Sequence, residues 1–145
     1  EGTFSDEYGD YPEGSYIRNP PGFKHTSFSK AGCTLFVKLH QFQAGDRQQI
    51  HVDTRKTPWM PGLGALRLMP LHDFKSEHTA LVYWPAGHAP DLGEGWGGEE
   101  ILVLSGELRS ENASYGVGYW LRGPHLLVAA LREPITKLLK RAVVH

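Results

Sequence analysis

The chain repeats itself. Residues Gly2 to Pro20 lie on Gly106 to Pro124 without a gap at a constant offset of 104, and Gly2/Gly106, Glu7/Glu111, Tyr11/Tyr115, Gly14/Gly118, Arg18/Arg122 and Pro20/Pro124 are identities. Tyr16 against Trp120 and Ile17 against Leu121 keep aromatic and aliphatic character. A second match, Thr34-Leu35-Phe36-Val37-Lys38 against Thr136-Lys137-Leu138-Leu139-Lys140, runs at an offset of 102. A repeat of about 100 residues is a duplicated domain, far longer than a solenoid unit. Counterparts of 64–104 would fall ahead of Glu1, so the first copy is expected to be the back half of a unit. Across 145 residues this predicts a partial repeat over 1–53, a linker over 54–63 and a full domain over 64–145.

The repeat also sets the class of secondary structure. Trp96-Gly97-Gly98-Glu99-Glu100-Ile101-Leu102-Val103-Leu104-Ser105-Gly106 reads as a turn, a buried strand and a second turn, and the aromatic run into Gly123-Pro124 reads as another strand. Seventeen glycines and ten prolines spaced among aromatic and β-branched residues predict an all-β sandwich or barrel. Cys33 to Phe42 is expected to be the strongest strand of the first half, followed by Gln48 to Asp53. Strands are also expected over Ala65 to Pro70, Glu77 to Trp84 and Leu126 to Leu131. Ile135 to Arg141 has helical spacing, but its match to 34–38 predicts a strand.

Fifteen basic and sixteen acidic residues leave a net charge of −1, which argues for neither nucleic acid nor an anionic membrane as partner. No run approaches 18 apolar residues, and the acidic start does not resemble a signal peptide, so a cytoplasmic location is expected. The single Cys33 excludes an intrachain disulfide and is expected to be a buried small hydrophobe.

Gly87, the loop His88 to Trp96, Gly-Gly-Glu-Glu-Ile-Leu-Val-Leu-Ser-Gly and Tyr-x-x-Gly-x-Trp-Leu-Arg-x-Pro-His-Leu together resemble the cupin of ChrR-type anti-sigma factors. Tyr16-Ile-Arg-Asn-Pro-Pro-Gly-Phe-Lys-His25 with Gly-Cys-Thr-Leu-Phe-Val-Lys-Leu is similar to the same family. The resemblance implies a double-stranded β-helix jelly-roll barrel with an interior pocket. It also implies a divalent metal, Zn, Fe or Mn, held by His-x-His, a Glu four residues after the second His, and a further His. Glu99 matches the carboxylate, but the histidine positions read Gly93 and Gly95, and the fourth falls near Ala129. In the first copy His25 matches the fourth ligand, and its partners would lie ahead of Glu1. The metal site is therefore expected to be degenerate, with His25 and Glu99 as its remnants and no cofactor. His88 and Glu94 near Glu99 leave an improvised site open, and His125 is read as structural.

Glu99 and Glu100 are neighbours on a strand and must face opposite ways, so they cannot act together on one substrate. A buried Glu99 would need a partner such as Arg122. The reading that follows is a non-catalytic cupin holding a small molecule among Tyr83, Trp96, Glu99, Tyr115, Trp120 and Arg122. Alternatives are a metal-dependent dioxygenase or isomerase, and a structural or oligomerisation module. The zinc-binding helical module that grips a sigma factor in ChrR-type proteins has no counterpart in the sequence, so sigma binding is not carried over. A half-repeat exposes a sheet edge, which predicts a homodimer with strand exchange.

Overall fold

In a computed structural model, residues 1–87, 99–110 and 112–123 are described in full, and 135–142 by their backbone course. The chain divides into two units, Glu1–Thr57 and Pro58–His145. The division falls within 54–63. Every regular element among the described residues is a strand.

The first unit is built from two short antiparallel pairs. β1 (Thr3–Asp6) and β2 (Gly9–Pro12) form a hairpin in register Phe4↔Tyr11 and Ser5↔Asp10. The Asp6 carboxylate accepts the Tyr8 amide at 2.9 Å and so closes the two-residue turn. β3 (Ser15–Arg18) then pairs with β4 (Ile50–Asp53), Tyr16 opposite Val52. Isolated bridges Gly2↔Cys33 and Ser5↔Phe28 bring the intervening segment back onto β1. Gly2 has a φ of 75°, and a Cβ there would sit 2.4 Å from the Gly32 carbonyl oxygen, so the crossing requires glycine.

The second unit is organised by a six-stranded antiparallel sheet in the order β11-β8-β12-β7-β6-β5. Its members are β5 (Met60–Pro61), β6 (Arg67–Phe74), β7 (Glu77–Trp84), β8 (Glu99–Ser105), β11 (Trp120–Gly123) and β12 (Ile135–Ala142). A small hairpin, β9 (Leu108–Arg109) with β10 (Ser114–Tyr115), follows β8. Its partners Leu108↔Tyr115 and Arg109↔Ser114 are the offset-104 images of Phe4↔Tyr11 and Ser5↔Asp10. The repeated glycines keep their backbone conformations, at φ 75° and 71° for Gly2 and Gly106 and 81° and 85° for Gly14 and Gly118. The duplication is thus one of structure.

Ile135–Ala142 is a strand, held between β7 and β8. Its counterpart is not. Beyond the bridge at Cys33, residues 34–42 form no strand, which corrects the expectation for Cys33 to Phe42. A strand is defined by neighbours that pair with it rung after rung, and the β-bridge this segment makes among the described residues is the isolated one from Cys33 to Gly2. Cys33 itself is half-buried rather than buried. The segment Leu126 to Leu131 lies outside the described residues.

Leu66, Val82, Trp84, Val103 and Leu108 form the core of the second unit, with Leu68, Tyr115 and Leu121 packed against it. Val82 and Trp84 alternate on β7, and Leu121 stands opposite Ile101 on β8, so one face of the sheet supplies this cluster. No helix among the described residues is long and apolar enough to cross a membrane.

Candidate functional site

Two groups of polar side chains stand out, one in each unit. In the first, the carboxylate of Asp6 is buried at the end of β1 and gathers three donors. The Tyr8 amide and the Tyr11 hydroxyl reach Oδ1 at 2.9 and 3.1 Å, and Nδ1 of His25 lies 2.9 Å from Oδ2. Burial pushes the Asp6 carboxyl up, but the bonds from His25, Tyr8 and Tyr11 outweigh it and hold the group below the ordinary carboxylate value. The Tyr11 phenol is pushed above its ordinary value by burial and by its bond to Asp6.

An aromatic wall surrounds this carboxylate. His25 meets the edges of Phe4 and Phe23 at centroid separations of 5.9 and 5.5 Å, and Tyr11 meets His51 edge-on at 4.7 Å. With Nδ1 turned to Asp6, Nε2 of His25 points towards the Ser27 hydroxyl at 3.4 Å. Asp6 therefore sets the orientation of the imidazole, as carboxylates do behind functional histidines. Sequence reasoning singled out His25 but not Asp6, whose Asp-x-Tyr turn before the paired Tyr11 was the available signal.

In the second unit, the strand register sorts the residues expected to line a pocket. Trp120 is opposite Leu102 and Arg122 opposite Glu100, and through β12 these align with Leu81 and hence Tyr83. Tyr83, Trp120 and Arg122 therefore share the sheet face of Glu100. Glu99 shares the other face with Ile101 and Val103, and Tyr115 packs against the core on that side. Trp96 lies outside the described residues, as do His88, Gly93, Glu94, Gly95, His125 and Ala129.

Glu99 and Glu100 do face opposite ways. Glu99 is 6% exposed. Arg122 is not its partner: the guanidinium Nε lies 3.3 Å from Oε1 of Glu100, on an arginine side chain that is 78% exposed. The correction is geometric, because Arg122 is registered against Glu100 while Gly123 is registered against Glu99. Glu99 also stands opposite Arg141 of β12 in the backbone ladder.

Tyr83 is occupied on its own face. Arg67, directly opposite on β6, lays its guanidinium over the Tyr83 ring at 4.3 Å, and Trp59 meets the same ring edge-on at 6.3 Å. Further along this face lie His72, Glu77 and Thr79, all buried, with His72 Nδ1 3.8 Å from Glu77 Oε1. A lone histidine after Pro70-Leu71 gave no sequence signal for that pair.

The two supposed remnants of a metal site, His25 and Glu99, belong to different units. Among the described residues no three His, Cys, Asp or Glu side chains come together as a metal would need.

Antiparallel strands throughout, a core on one face of the six-stranded sheet and a hairpin copied with its register are features of the cupin class. The model of the ChrR Cupin-like domain family matches residues 1–43 and 47–134, and the chain belongs to that family. A crystal structure of Rhodobacter sphaeroides SigE in complex with the anti-sigma ChrR is similar at a TM-score of 0.52 and 24% identity. That match takes in 60% of this chain and 50% of the other, so it spans about half the length of its relative and speaks for the fold alone. No curated protein matches the sequence.

Proposed function

We propose that this cupin works by binding a small molecule on the core side of its six-stranded sheet, without turning it over. The observation that supports the reading is Glu99, a carboxylate kept at 6% exposure on the face that otherwise contributes Ile101 and Val103 to the interior. A buried carboxylate on an otherwise apolar face is a placed polar group. Apolar walls with a few placed polar groups are the ordinary composition of a ligand site. Tyr115 joins the wall from β10.

Native mass spectrometry of the untagged full chain, paired with metal analysis, tests this. A bound organic mass near one per chain that Glu99→Gln loses supports the proposal. About one Zn, Fe or Mn per chain would replace it with the dioxygenase or isomerase alternative. Absence of any bound mass in both proteins after incubation with a metabolite extract would reject it.

A second reading rests on a different observation. Val117, Tyr119 and Trp120 are 66%, 55% and 50% exposed along the β11 side. The ChrR relative is seen with a protein partner, and an exposed aromatic edge has the composition of a protein-binding surface. Trp120→Ala would weaken partner capture while leaving small-molecule binding intact.

A further inference from the structure

The Asp6 cluster of the first unit continues through His25 to a third side chain. His25 donates from Nδ1 to Oδ2 of Asp6 at 2.9 Å. Asp6 is held below the ordinary carboxylate value and is therefore ionised near neutral pH, so it accepts this bond and the neutral imidazole carries its proton on Nδ1. The lone pair of Nε2 is then presented to the Ser27 hydroxyl, 3.4 Å away. Ser27, His25 and Asp6 stand in line as hydroxyl, imidazole and buried carboxylate, the order of a serine nucleophile, its base and the group that orients the base. A contact of 3.4 Å is at the loose end of what such sites show without substrate. Each member is also fixed from outside the line. The His25 ring packs against Phe4 and Phe23. Ser27 is exposed, but both of its neighbours are pinned: the Thr26 amide donates to Oε2 of Glu7 at 2.7 Å, and Phe28 exchanges backbone bonds with Ser5 at 2.8 and 2.9 Å. Ser29, two residues on, is a contrast, because its hydroxyl donates to the Thr3 carbonyl at 2.7 Å.

We propose that Ser27 is a nucleophile that cleaves small carboxylic esters, with His25 as its base and Asp6 positioning the imidazole. Ser27 Oγ attacks the ester carbonyl carbon while its proton passes to Nε2 of His25. The ester C–O bond breaks, and the alcohol leaves with that proton. Water then attacks the acyl-serine by the same route: His25 takes a proton from the water and returns it to Oγ as the acid departs. Ester and water thus yield acid and alcohol, and the serine is restored. Phe23 lies against the imidazole, and the exposed Tyr8 stacks on Phe23 at 5.3 Å. This apolar bed beside the base favours an ester bearing an aromatic or short aliphatic group over a charged one. The site belongs to the first unit and does not depend on small-molecule binding in the second.

The test treats the untagged full chain with a fluorophosphonate, reading the labelled residue by peptide mass spectrometry, and with p-nitrophenyl acetate, reading nitrophenolate release. The label is expected on Ser27, to be lost from that peptide in Ser27→Ala, and to form at the parent rate in Ser29→Ala. His25→Gln should slow labelling about 100-fold or more. Free imidazole in the buffer should then restore part of the rate, which a loss of fold would not allow. Ester turnover should disappear in Ser27→Ala. Asp6→Asn should lower kcat with KM little changed and remove the low-field Nδ1 proton signal of His25. An unlabelled Ser27, labelling that His25→Gln leaves unchanged or that imidazole does not restore, or ester hydrolysis that survives Ser27→Ala would overturn the proposal. A parent kcat in Asp6→Asn would overturn the role given to Asp6.

Discussion

Arg18 and Asp46 form an ion pair whose side chains are 1% and 0% exposed, and its rupture should unfold the first unit. The Arg18 guanidinium also lies over the Phe42 ring at 3.9 Å. Asp46 holds its own loop: its carboxylate accepts the Gln48 amide at 3.1 Å, and its amide donates to Gln43 at 3.0 Å. Asp46→Ala leaves a buried cation without its carboxylate, which costs about 3–5 kcal/mol, and removes a turn acceptor worth about 0.5–1.5 kcal/mol. Asp46→Asn keeps an acceptor for Gln48 and isolates the charge effect. The double variant Arg18→Met/Asp46→Leu should recover most of the loss, because an apolar pair of similar volume carries no desolvation penalty. All four tryptophans lie beyond residue 57, so indole fluorescence reports the second unit. The assay is therefore amide exchange of 15–18 and 43–53 as a function of urea. An Asp46→Ala penalty below about 1 kcal/mol, or a double variant as damaged as the single, would refute the reasoning.

The repeat supplies a matched contrast: Arg122→Ala, at the equivalent position, should cost less than about 1 kcal/mol by denaturant titration, since its contact with Glu100 is screened by solvent. Asp6, held below its ordinary pKa, adds stability that is present above pH 4 or so and is lost as the pH falls through its folded value; Asp6→Asn should flatten the acid limb of a stability–pH curve. Tyr11, raised above 10, acts at the other end, its contribution present below that value and lost as the pH climbs through its folded pKa, and Tyr11→Phe should remove this alkaline loss. Gly2→Ala forces a Cβ into the Gly32 carbonyl oxygen and should cost about 1–3 kcal/mol in thermal unfolding of the first unit; an unchanged transition would contradict the close approach.

Much of the fold was written in the primary structure as repetition and alternation. The offset of 104 gave a duplication that the structure shows as a hairpin recurring in register, and the offset of 102 overruled helical spacing at 135–141, where a strand stands. The opposite orientation of Glu99 and Glu100 follows from pleat alone. Pattern reports which residues share a face along one strand, and these results needed nothing more.

Partnership across strands needed the tertiary structure. Arg122 belongs to Glu100 rather than Glu99 because of a register between β8 and β11 that no local pattern states. Arg18 and Arg122 are identical positions of the repeat, yet one is sealed against Asp46 and the other is mostly exposed. Cys33 to Phe42 has the composition of a strand and remains outside one, while 135–142, of similar sequence, lies between two neighbours. A β-strand takes its hydrogen bonds from other segments, so sequence determines the capacity to be one, and only the presence of a neighbour determines whether it forms.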